Sequence, residues 1–115
     1  MLRGEIWQVD FNPARGSEAN KRRPAVVISN DRANATASRL GRGVVTVVPV
    51  TSNVATIYPF QVFLPAAKTG LAVDSKAQAE QIRSVATERL SRRIGRVPPA
   101  ELAQLDDALR LHLEL

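Results

Sequence analysis

The sequence predicts an α+β domain in which a small antiparallel, barrel-like sheet carries one α-helix at its C-terminus. Short runs of β-branched and aromatic residues alternate with turn residues along most of the chain, which is typical of a sheet built from hairpins. Only the last segment has leucines at helical spacing, and no strand–helix–strand repeat indicates a parallel sheet. With 115 residues, the chain is long enough for one core, so residues 1–115 are expected to form a single domain.

A strand followed by a long polar loop is predicted at the N-terminus. Residues 3–11 alternate between apolar and polar side chains, with an irregularity at Trp7. The dipeptide Asn12-Pro13 ends this strand, and residues 12–22 are mostly small, polar or charged. Because this connection is longer than a typical hairpin loop, we expect it either to carry function or to be disordered.

The step from this loop into the second strand is where a site is expected. Pro24 fixes its own φ and disfavours a helical conformation for Arg23, and the apolar run Ala25–Ser29 follows at once. A proline is tolerated as the first residue of a strand, where its missing N–H removes no ladder hydrogen bond. Arg23 is therefore predicted to lie at the rim of the sheet, directly after a basic loop.

The most strand-prone segment of the chain is Val44–Val50. Its apolar residues do not alternate with polar ones, so burial on both faces is predicted, and Pro49 requires an edge, a bulge or a strand end. Before it, residues 30–35 are predicted to form one short helical turn, because Asn30 is a good N-cap residue and alanines follow. The triplet Thr51-Ser52-Asn53 is expected to form a polar exit from the strand.

Four further extended segments are predicted before the C-terminal helix. Residues 58–65 contain strand-type residues between prolines, and residues 94–97 are expected to form a closing strand. Residues 71–74 and 76–85 are also predicted to be extended, although Ala, Gln and Glu in the second of these favour a helix as well. One face of that second segment would carry Ala77, Ala79, Gln81 and Arg83.

The C-terminal segment is predicted to be one amphipathic helix. Pro98-Pro99 is typical of a helix start, where a missing N–H is tolerated. Leu102, Leu105, Leu109 and Leu113 follow at spacings of three, four and four residues, which places them on one face.

The composition excludes several classes of site. No cysteine occurs, so the chain has neither disulfides nor a thiolate nucleophile or metal ligand. The N-terminus has no apolar signal region, and no run approaches the ~18 apolar residues of a membrane span. A cytoplasmic location without membrane contact is therefore expected.

The charge of the chain is unevenly distributed. Residues 1–96 contain 15 Lys and Arg against 7 Asp and Glu, whereas residues 97–115 contain one Arg against four acidic residues. The basic part suits a polyanionic partner such as nucleic acid, and the acidic end is expected to face elsewhere. A basic domain without any specific polyanion is the alternative at this point.

The strands at residues 24–29 and 44–50 are expected to pair, since consecutive strands usually do. An antiparallel pair would place Arg23 and Thr51 side by side at one rim of the sheet. A guanidinium matches phosphate oxygens through two parallel hydrogen bonds, and a hydroxyl can donate to the same oxyanion. These two residues therefore predict a site for a phosphodiester.

No cluster of Asp, Glu and His with metal-ligand spacing is present, so neither a metal nor another cofactor is expected. Metal-free cleavage of RNA can use the 2′-hydroxyl as nucleophile, which requires a proton acceptor and a proton donor. Arginine is a poor base because its pKa exceeds ~12. Glu18 and Glu80 are the candidate carboxylates; either could equally serve solubility or pair with Lys21 or Arg83.

Six short motifs, in this order along nearly the whole chain, resemble those of the MazF/PemK toxins of bacterial toxin–antitoxin systems. They are Gly4-Glu5-Ile6-Trp7, Gly16-Ser17-Glu18, Arg23-Pro24-Ala25-Val26-Val27, Pro49-Val50-Thr51-Ser52, Tyr58-Pro59-Phe60 and Glu80-Gln81-Ile82-Arg83.

This resemblance implies the PemK/CcdB-type fold, a small antiparallel, SH3-like β-barrel with a C-terminal α-helix. It also implies a homodimer and a sequence-specific, metal-independent endoribonuclease that halts translation. By matching position, the family's catalytic arginine falls on Arg23 and its motif threonine on Thr51. The implied cleavage leaves a 2′,3′-cyclic phosphate and a 5′-hydroxyl on single-stranded RNA. A role for the carboxylate of Glu80 in that reaction stays open.

The resemblance also implies partners and contact residues. A MazE-like antitoxin with an acidic, disordered tail would bind in the same basic groove as the RNA. The loop at residues 12–22 would cover this groove. Residues expected to contact RNA are Lys21, Arg22, Ser52, Gln81 and Arg83, with Trp7 and Tyr58 as aromatic surfaces for bases.

Two other functions remain open from the sequence. A gyrase-poisoning toxin of the CcdB type would use the same fold as a binding platform without cutting RNA. A non-catalytic, basic RNA-binding module would explain the charge alone. The expected pairing of Arg23 with Thr51 would have no purpose in the gyrase-poisoning toxin.

Overall fold

Seven strands, three helices and two 3₁₀ turns make up the chain in a computed structural model that describes residues 1–115. None of the helices combines the length and apolar composition that a membrane span requires. In chain order the elements are β1 (Glu5–Asp10), β2 (Arg22–Val27), α1 (Asp31–Leu40), β3 (Val44–Thr51), β4 (Gln61–Leu64), α2 (Ala66–Thr69), β5 (Ser75–Gln78), a 3₁₀ turn (Ala79–Gln81), β6 (Arg83–Ala86), a second 3₁₀ turn (Thr87–Arg89), β7 (Leu90–Arg96) and α3 (Pro99–Leu113).

All strand pairs of the sheet are antiparallel, and the strands follow the order β4-β5-β3-β2-β1-β7. Strand β3 is central, because it pairs with β2 on one side and with β6 and then β5 on the other. The predicted α+β fold with an antiparallel sheet and a C-terminal helix is confirmed. The sheet does not close into a complete barrel, since β4 and β7 stand at its two ends.

The two central strands bury apolar side chains on both faces, as their unbroken β-branched sequence predicts. Val26 and Val48 pack into a cluster with residues of α3, whereas Val27 and Val47 pack into a second cluster on the opposite face. Each fully buried valine stabilises the fold by about 1.5–3 kcal/mol. Pro49 lies where the neighbour of β3 changes from β6 to β5, which agrees with the predicted irregularity there.

The helix after β2 is longer than the single turn predicted for residues 30–35. Asn30 caps it as expected, with its side-chain oxygen accepting a hydrogen bond from the Ala33 N–H at 2.8 Å. The helix continues to Leu40 and ends at Gly41, which adopts the left-handed conformation. Tertiary burial of its inner face, together with these two caps, outweighs the weak helix propensity of the central residues.

The prediction of one continuous extended segment over residues 76–85 is wrong. The 3₁₀ turn at Ala79–Gln81 separates β5 from β6 and breaks the alternation of side chains, so Gln81 leaves the predicted face. Residues 71–74 form no regular strand. The other predicted strands exist with shifted ends, since β2 begins at Arg22, β4 is shorter than residues 58–65, and β7 is longer than residues 94–97.

Helix α3 begins at Pro99, as predicted, and covers one face of the sheet. Leu105 and Leu109 are buried in the cluster beneath it, and Leu102 packs against the same cluster. Leu113 is 46 % exposed, because the last turn extends beyond the core. Three of the four predicted leucines therefore pack α3 against the core.

Glu5 at the start of β1 has a pKa below its usual range. Burial alone would raise this pKa, but hydrogen bonds from the Leu2 N–H and the Trp7 indole N–H and the charges of Arg93 and the N-terminus stabilise the ionised form. Stability from this carboxylate is therefore fully present above the ordinary glutamate pKa and is lost as the pH falls through the lower folded-state value.

We expect Glu5→Gln to flatten the dependence of the unfolding free energy on pH between about pH 5 and 3, which urea titrations at several pH values would measure. An unchanged slope in the variant would contradict this assignment.

Candidate functional site

The register of β2 with β3 brings Arg23 and Thr51 to one rim of the sheet. Ala25 pairs with Pro49 and Val26 with Val48, so Arg23 and Thr51 each lie two residues beyond the last paired position, at the same end of the two strands. Both residues also line one cavity.

The guanidinium of Arg23 is oriented by a single neighbour, Asn20. Its Nε donates to the backbone carbonyl of Asn20 at 2.8 Å, and Nη2 donates to the side-chain oxygen of Asn20 at 2.9 Å. Arg23 forms no ion pair with a carboxylate. Because a guanidinium has five N–H donors, the remaining ones stay available for an anion.

The hydroxyl of Thr51 is also available for an incoming group. Its oxygen accepts a weak hydrogen bond from the Asn53 N–H at 3.3 Å, and its own O–H has no protein acceptor. Thr51 is partly buried at the end of β3, whereas the following Ser52 is exposed. The site therefore combines one oriented cation with a hydroxyl donor held on the neighbouring strand.

The cavity shared by these residues has a volume of about 260 Å³ and is strongly basic. One wall is the end of the loop and the start of β2, the second is the end of β3, and the third is the segment from Leu71 to Ser75. Lys21, Arg22 and Arg23 contribute three cations, and no Asp or Glu lines the cavity. Such a site attracts anions and holds no carboxylate that would repel them.

Lys76 is a buried cation beside the site that the sequence analysis missed. It is the strand partner of Thr51 on β5 and only 7 % exposed. Its ammonium donates to the Thr56 carbonyl at 2.6 Å and lies 5.9 Å from the ring centroid of Tyr58. Tyr58 is 51 % exposed and stacks on Phe60 with ring centroids 5.5 Å apart. Tyr58 thus presents an exposed aromatic surface beside Lys76, the strand partner of Thr51.

Six of the predicted site residues do not line this cavity, namely Trp7, Glu18, Tyr58, Glu80, Gln81 and Arg83. Trp7 packs beside β7 and donates its indole N–H to Glu5, so its ring belongs to the second apolar cluster. Glu80 accepts a hydrogen bond from Gln61 at 2.7 Å, inside the turn that packs against α3. Arg83 lies 5.7 Å from the ring centroid of Phe11. The side chains of Trp7, Glu80 and Arg83 therefore have partners elsewhere in the fold.

Glu18 and Gln81 differ sharply in what they contact, although neither lines the cavity. Glu18 is exposed in the loop, and its carboxylate has no hydrogen-bond partner. The side chain of Gln81 donates to the Ser17 carbonyl at 2.9 Å and accepts from the Ala19 N–H at 2.9 Å. The nitrogen and the oxygen of the Gln81 side chain, which was predicted to contact RNA, are therefore both hydrogen-bonded to the loop.

Asn20 and Lys76 were missed for different reasons. Asn20 precedes Arg23 by three residues, and an amide at this spacing before a strand is a usable signal for a turn that orients a neighbour. Lys76 stands in a strand of small, largely buried residues, where a lysine is unusual. No pattern in the sequence reports its contact with Thr56.

The arrangement can bind and polarise a phosphate group. Its donors are the free N–H groups of Arg23, the O–H of Thr51 and the ammonium of Lys21, all around one basic cavity. No three Asp, Glu or His side chains in the chain converge as metal ligands.

Comparisons with known proteins show the family and the fold. A family model described as PemK-like, MazF-like toxin of type II toxin–antitoxin systems matches residues 2–113. Endoribonuclease MazF9 of Mycobacterium tuberculosis is 78% identical over 115 residues, covering 100% of this chain and 98% of that protein. The crystal structure of MazF from Deinococcus radiodurans superposes with a TM-score of 0.83 at 30% identity, covering 100% of this chain and 97% of that one. A MazE–MazF crystal structure from Deinococcus radiodurans gives a TM-score of 0.77 at 28% identity, with 100% and 97% coverage.

Proposed function

Since the chain belongs to the PemK-like, MazF-like toxins of type II toxin–antitoxin systems, we propose that it is a sequence-specific endoribonuclease that cuts single-stranded RNA without a metal ion. The observation that carries this proposal is the meeting of Arg23 and Thr51 at one basic cavity. Cleavage of cellular RNA would inhibit translation and arrest growth. The site of action is then the cytoplasm, where the RNA is.

The proposed reaction uses the 2′-hydroxyl of the RNA as nucleophile. A base removes the 2′-hydroxyl proton, the 2′-oxygen forms a bond to phosphorus, and the bond from phosphorus to the 5′-oxygen breaks. The leaving 5′-oxygen takes a proton. The products are a 2′,3′-cyclic phosphate on one fragment and a 5′-hydroxyl on the other, so no water or metal enters this step.

Arg23 and Thr51 stabilise the charge that builds on the non-bridging oxygens during this step. The guanidinium is held by Asn20 before RNA arrives, so little reorganisation is needed in the transition state. The hydroxyl of Thr51 donates to the same phosphate group. Arg23 does not act as the base, because a guanidinium keeps its proton below a pH of about 12.

Glu18 is the carboxylate that we assign to proton transfer. Its side chain is exposed and unpaired in the loop that borders the cavity, whereas in Glu80 one oxygen accepts from Gln61 and Oε1 is buried without a partner. The proton acceptor must come within hydrogen-bond distance of the 2′-hydroxyl, which requires the bound RNA to meet the loop.

Binding of the RNA strand is proposed to combine phosphate contacts with stacking. Lys21 and Arg22 supply cations at the cavity, Ser52 supplies a hydroxyl, and the exposed ring of Tyr58 supplies a surface for one base.

The proposal is tested by incubating the purified protein with a defined RNA in EDTA and mapping the products. We expect cuts at a short sequence in EDTA, fragments with a 5′-hydroxyl that a kinase labels directly, and no cut where the nucleotide on the 5′ side carries a 2′-deoxy sugar. Loss of cutting in EDTA, or cutting of the 2′-deoxy substrate, would contradict the mechanism. If no RNA is cut, a supercoiling assay and an RNA-binding assay distinguish a gyrase poison from a binding module.

Thr51→Val removes the hydroxyl while keeping the shape of the β-branched side chain. We expect the cleavage rate constant to fall by about 10-fold or more, since one neutral hydrogen bond to the transition state is lost. Single-turnover cleavage at saturating RNA measures this. Ser52→Ala is the matched control, because it removes a hydroxyl proposed to bind RNA and should weaken binding without changing the rate constant at saturation. A rate constant equal to that of the control would remove Thr51 from the reaction.

The antitoxin partner is proposed to be a MazE-like protein whose acidic, disordered tail binds to the cations around Arg23. The MazE–MazF structures similar to this fold support a protein partner of this kind. An acidic segment that orders on binding would compete with RNA for Lys21, Arg22 and Arg23. We propose a homodimer as the active form.

A further inference from the structure

We propose that Gln81 is a positioning residue that sets the location of the Arg23 guanidinium by holding the loop at residues 12–22. The inference rests on the proposed function for its catalytic consequence. It replaces the expectation that Gln81 contacts RNA.

The side chain of Gln81 fastens the middle of the loop through two hydrogen bonds. Its amide nitrogen donates to the Ser17 carbonyl and its oxygen accepts from the Ala19 N–H, each at 2.9 Å. These contacts join positions more than 60 residues apart in the chain. A carboxamide donates from its nitrogen and accepts at its oxygen, which fits two backbone groups of opposite polarity.

The loop has few other attachments near its middle. Its base is held by the Phe11 N–H, which donates to the Lys21 carbonyl, and by the Lys21 N–H, which donates to Asn12. Between these points, the buried side chain of Ala19 and the amide of Gln81 connect the loop to the rest of the fold. Loss of the amide contacts would leave this part of the loop attached through the burial of the Ala19 methyl group and the two hydrogen bonds between Arg23 and Asn20.

The held segment leads directly to the guanidinium of Arg23. Asn20 follows Ala19, and both its carbonyl and its side-chain oxygen accept hydrogen bonds from Arg23. A shift of Ala19 therefore moves the two acceptors that orient the guanidinium. Displacing a catalytic group by about 1 Å can cost about 100-fold in rate.

The test compares Gln81→Met, which keeps the length of the side chain but removes both hydrogen bonds, with the matched change Gln104→Met on the exposed surface of α3. We expect Gln81→Met to lower kcat on RNA by about 10- to 100-fold with little change in KM. Gln104→Met should leave both unchanged. Gln81→Glu keeps the acceptor for Ala19 and should fall between Gln81→Met and the unmodified protein.

The same change is then made in an Arg23→Lys background, where a cation remains but lacks the Nε and Nη2 donors that bond to Asn20. If Gln81 acts through Arg23, adding Gln81→Met should lower kcat by less than about threefold in this background. A loss that appears in KM, or that is equally large in both backgrounds, would show that Gln81 acts on the RNA or on Glu18 and not through Arg23, and would overturn the proposal.

Amide hydrogen exchange without RNA separates this proposal from the proposed function. We expect faster exchange at Ala19 in Gln81→Met than in the unmodified protein, while exchange in β3 stays unchanged. If exchange at Ala19 rises but the unmodified protein cuts no RNA, the nuclease assignment fails and the attachment of the loop stands. Unchanged exchange at Ala19 would overturn the attachment itself.

Discussion

Replacing Arg23 with alanine is expected to lower the rate constant of RNA cleavage by about 10²- to 10³-fold, the largest loss of activity from any single change in this chain. The physical reason is the removal of a charged donor that is already oriented towards the phosphate, which is worth about 3–4 kcal/mol in the transition state. The guanidinium is held by two hydrogen bonds to Asn20 and has no carboxylate partner. Single-turnover cleavage of a defined RNA in EDTA measures the effect.

Arg22→Ala is the matched control for this prediction. Arg22 is the adjacent arginine and lines the same cavity, but its side chain is 75% exposed and only 3.9 Å from Asp10. Its removal should weaken RNA binding, and so raise KM, with little change in the rate constant at saturating RNA. Equal rate constants for the two variants at saturation would show that Arg23 supplies general attraction rather than stabilisation of the transition state.

The pairing of Arg23 with Thr51 could be predicted because it depends on local rules. Pro24 sets the start of one strand, and the apolar run from Val44 sets the next, so antiparallel pairing of consecutive strands brings their ends together. The C-terminal helix was predictable for a similar reason, since its leucine spacing is a property of the sequence alone.

The positions of Gln81 and Glu80 could not be predicted from pattern, because both depend on one turn. Alternation places Gln81 on a strand face, but the 3₁₀ turn at Ala79–Gln81 rotates it towards the loop at residues 12–22. The same turn directs Glu80 to Gln61. Contacts over such sequence distances are fixed by packing against α3, which no local propensity reports.

The contacts of Lys76 show a second limit of sequence reasoning. A lysine is expected at the surface, yet this one is buried beside Thr51 and donates to the carbonyl of Thr56. The segment between β3 and β4 covers Lys76 with Thr56 and Tyr58. This segment has no periodic pattern of apolar residues from which its conformation could be predicted.

Gly95→Ala is expected to cause a large loss of stability. A Cβ at Gly95 would lie 1.8 Å from the carbonyl oxygen of Thr69 and 3.2 Å from the Cα of Gly70. Both are backbone atoms, which cannot rotate away as the end of a flexible side chain can. The turn after α2 and strand β7 must therefore separate. We expect the free energy of unfolding to fall by about 3 kcal/mol or more.

Gly41→Ala is the informative control, because it is the same substitution at a position where the added Cβ meets backbone strain but no steric clash. Gly41 ends α1 with φ 65°, and a Cβ there would have no atom within 4 Å. Its cost is then only the strain of the left-handed conformation, about 1–2 kcal/mol. Urea unfolding of both variants measures the difference. A loss for Gly95→Ala no larger than that for Gly41→Ala would mean that β7 and the turn after α2 can move apart freely. In that case the segment from Leu71 to Ser75, which follows this turn and forms one wall of the cavity, would not be fixed by β7.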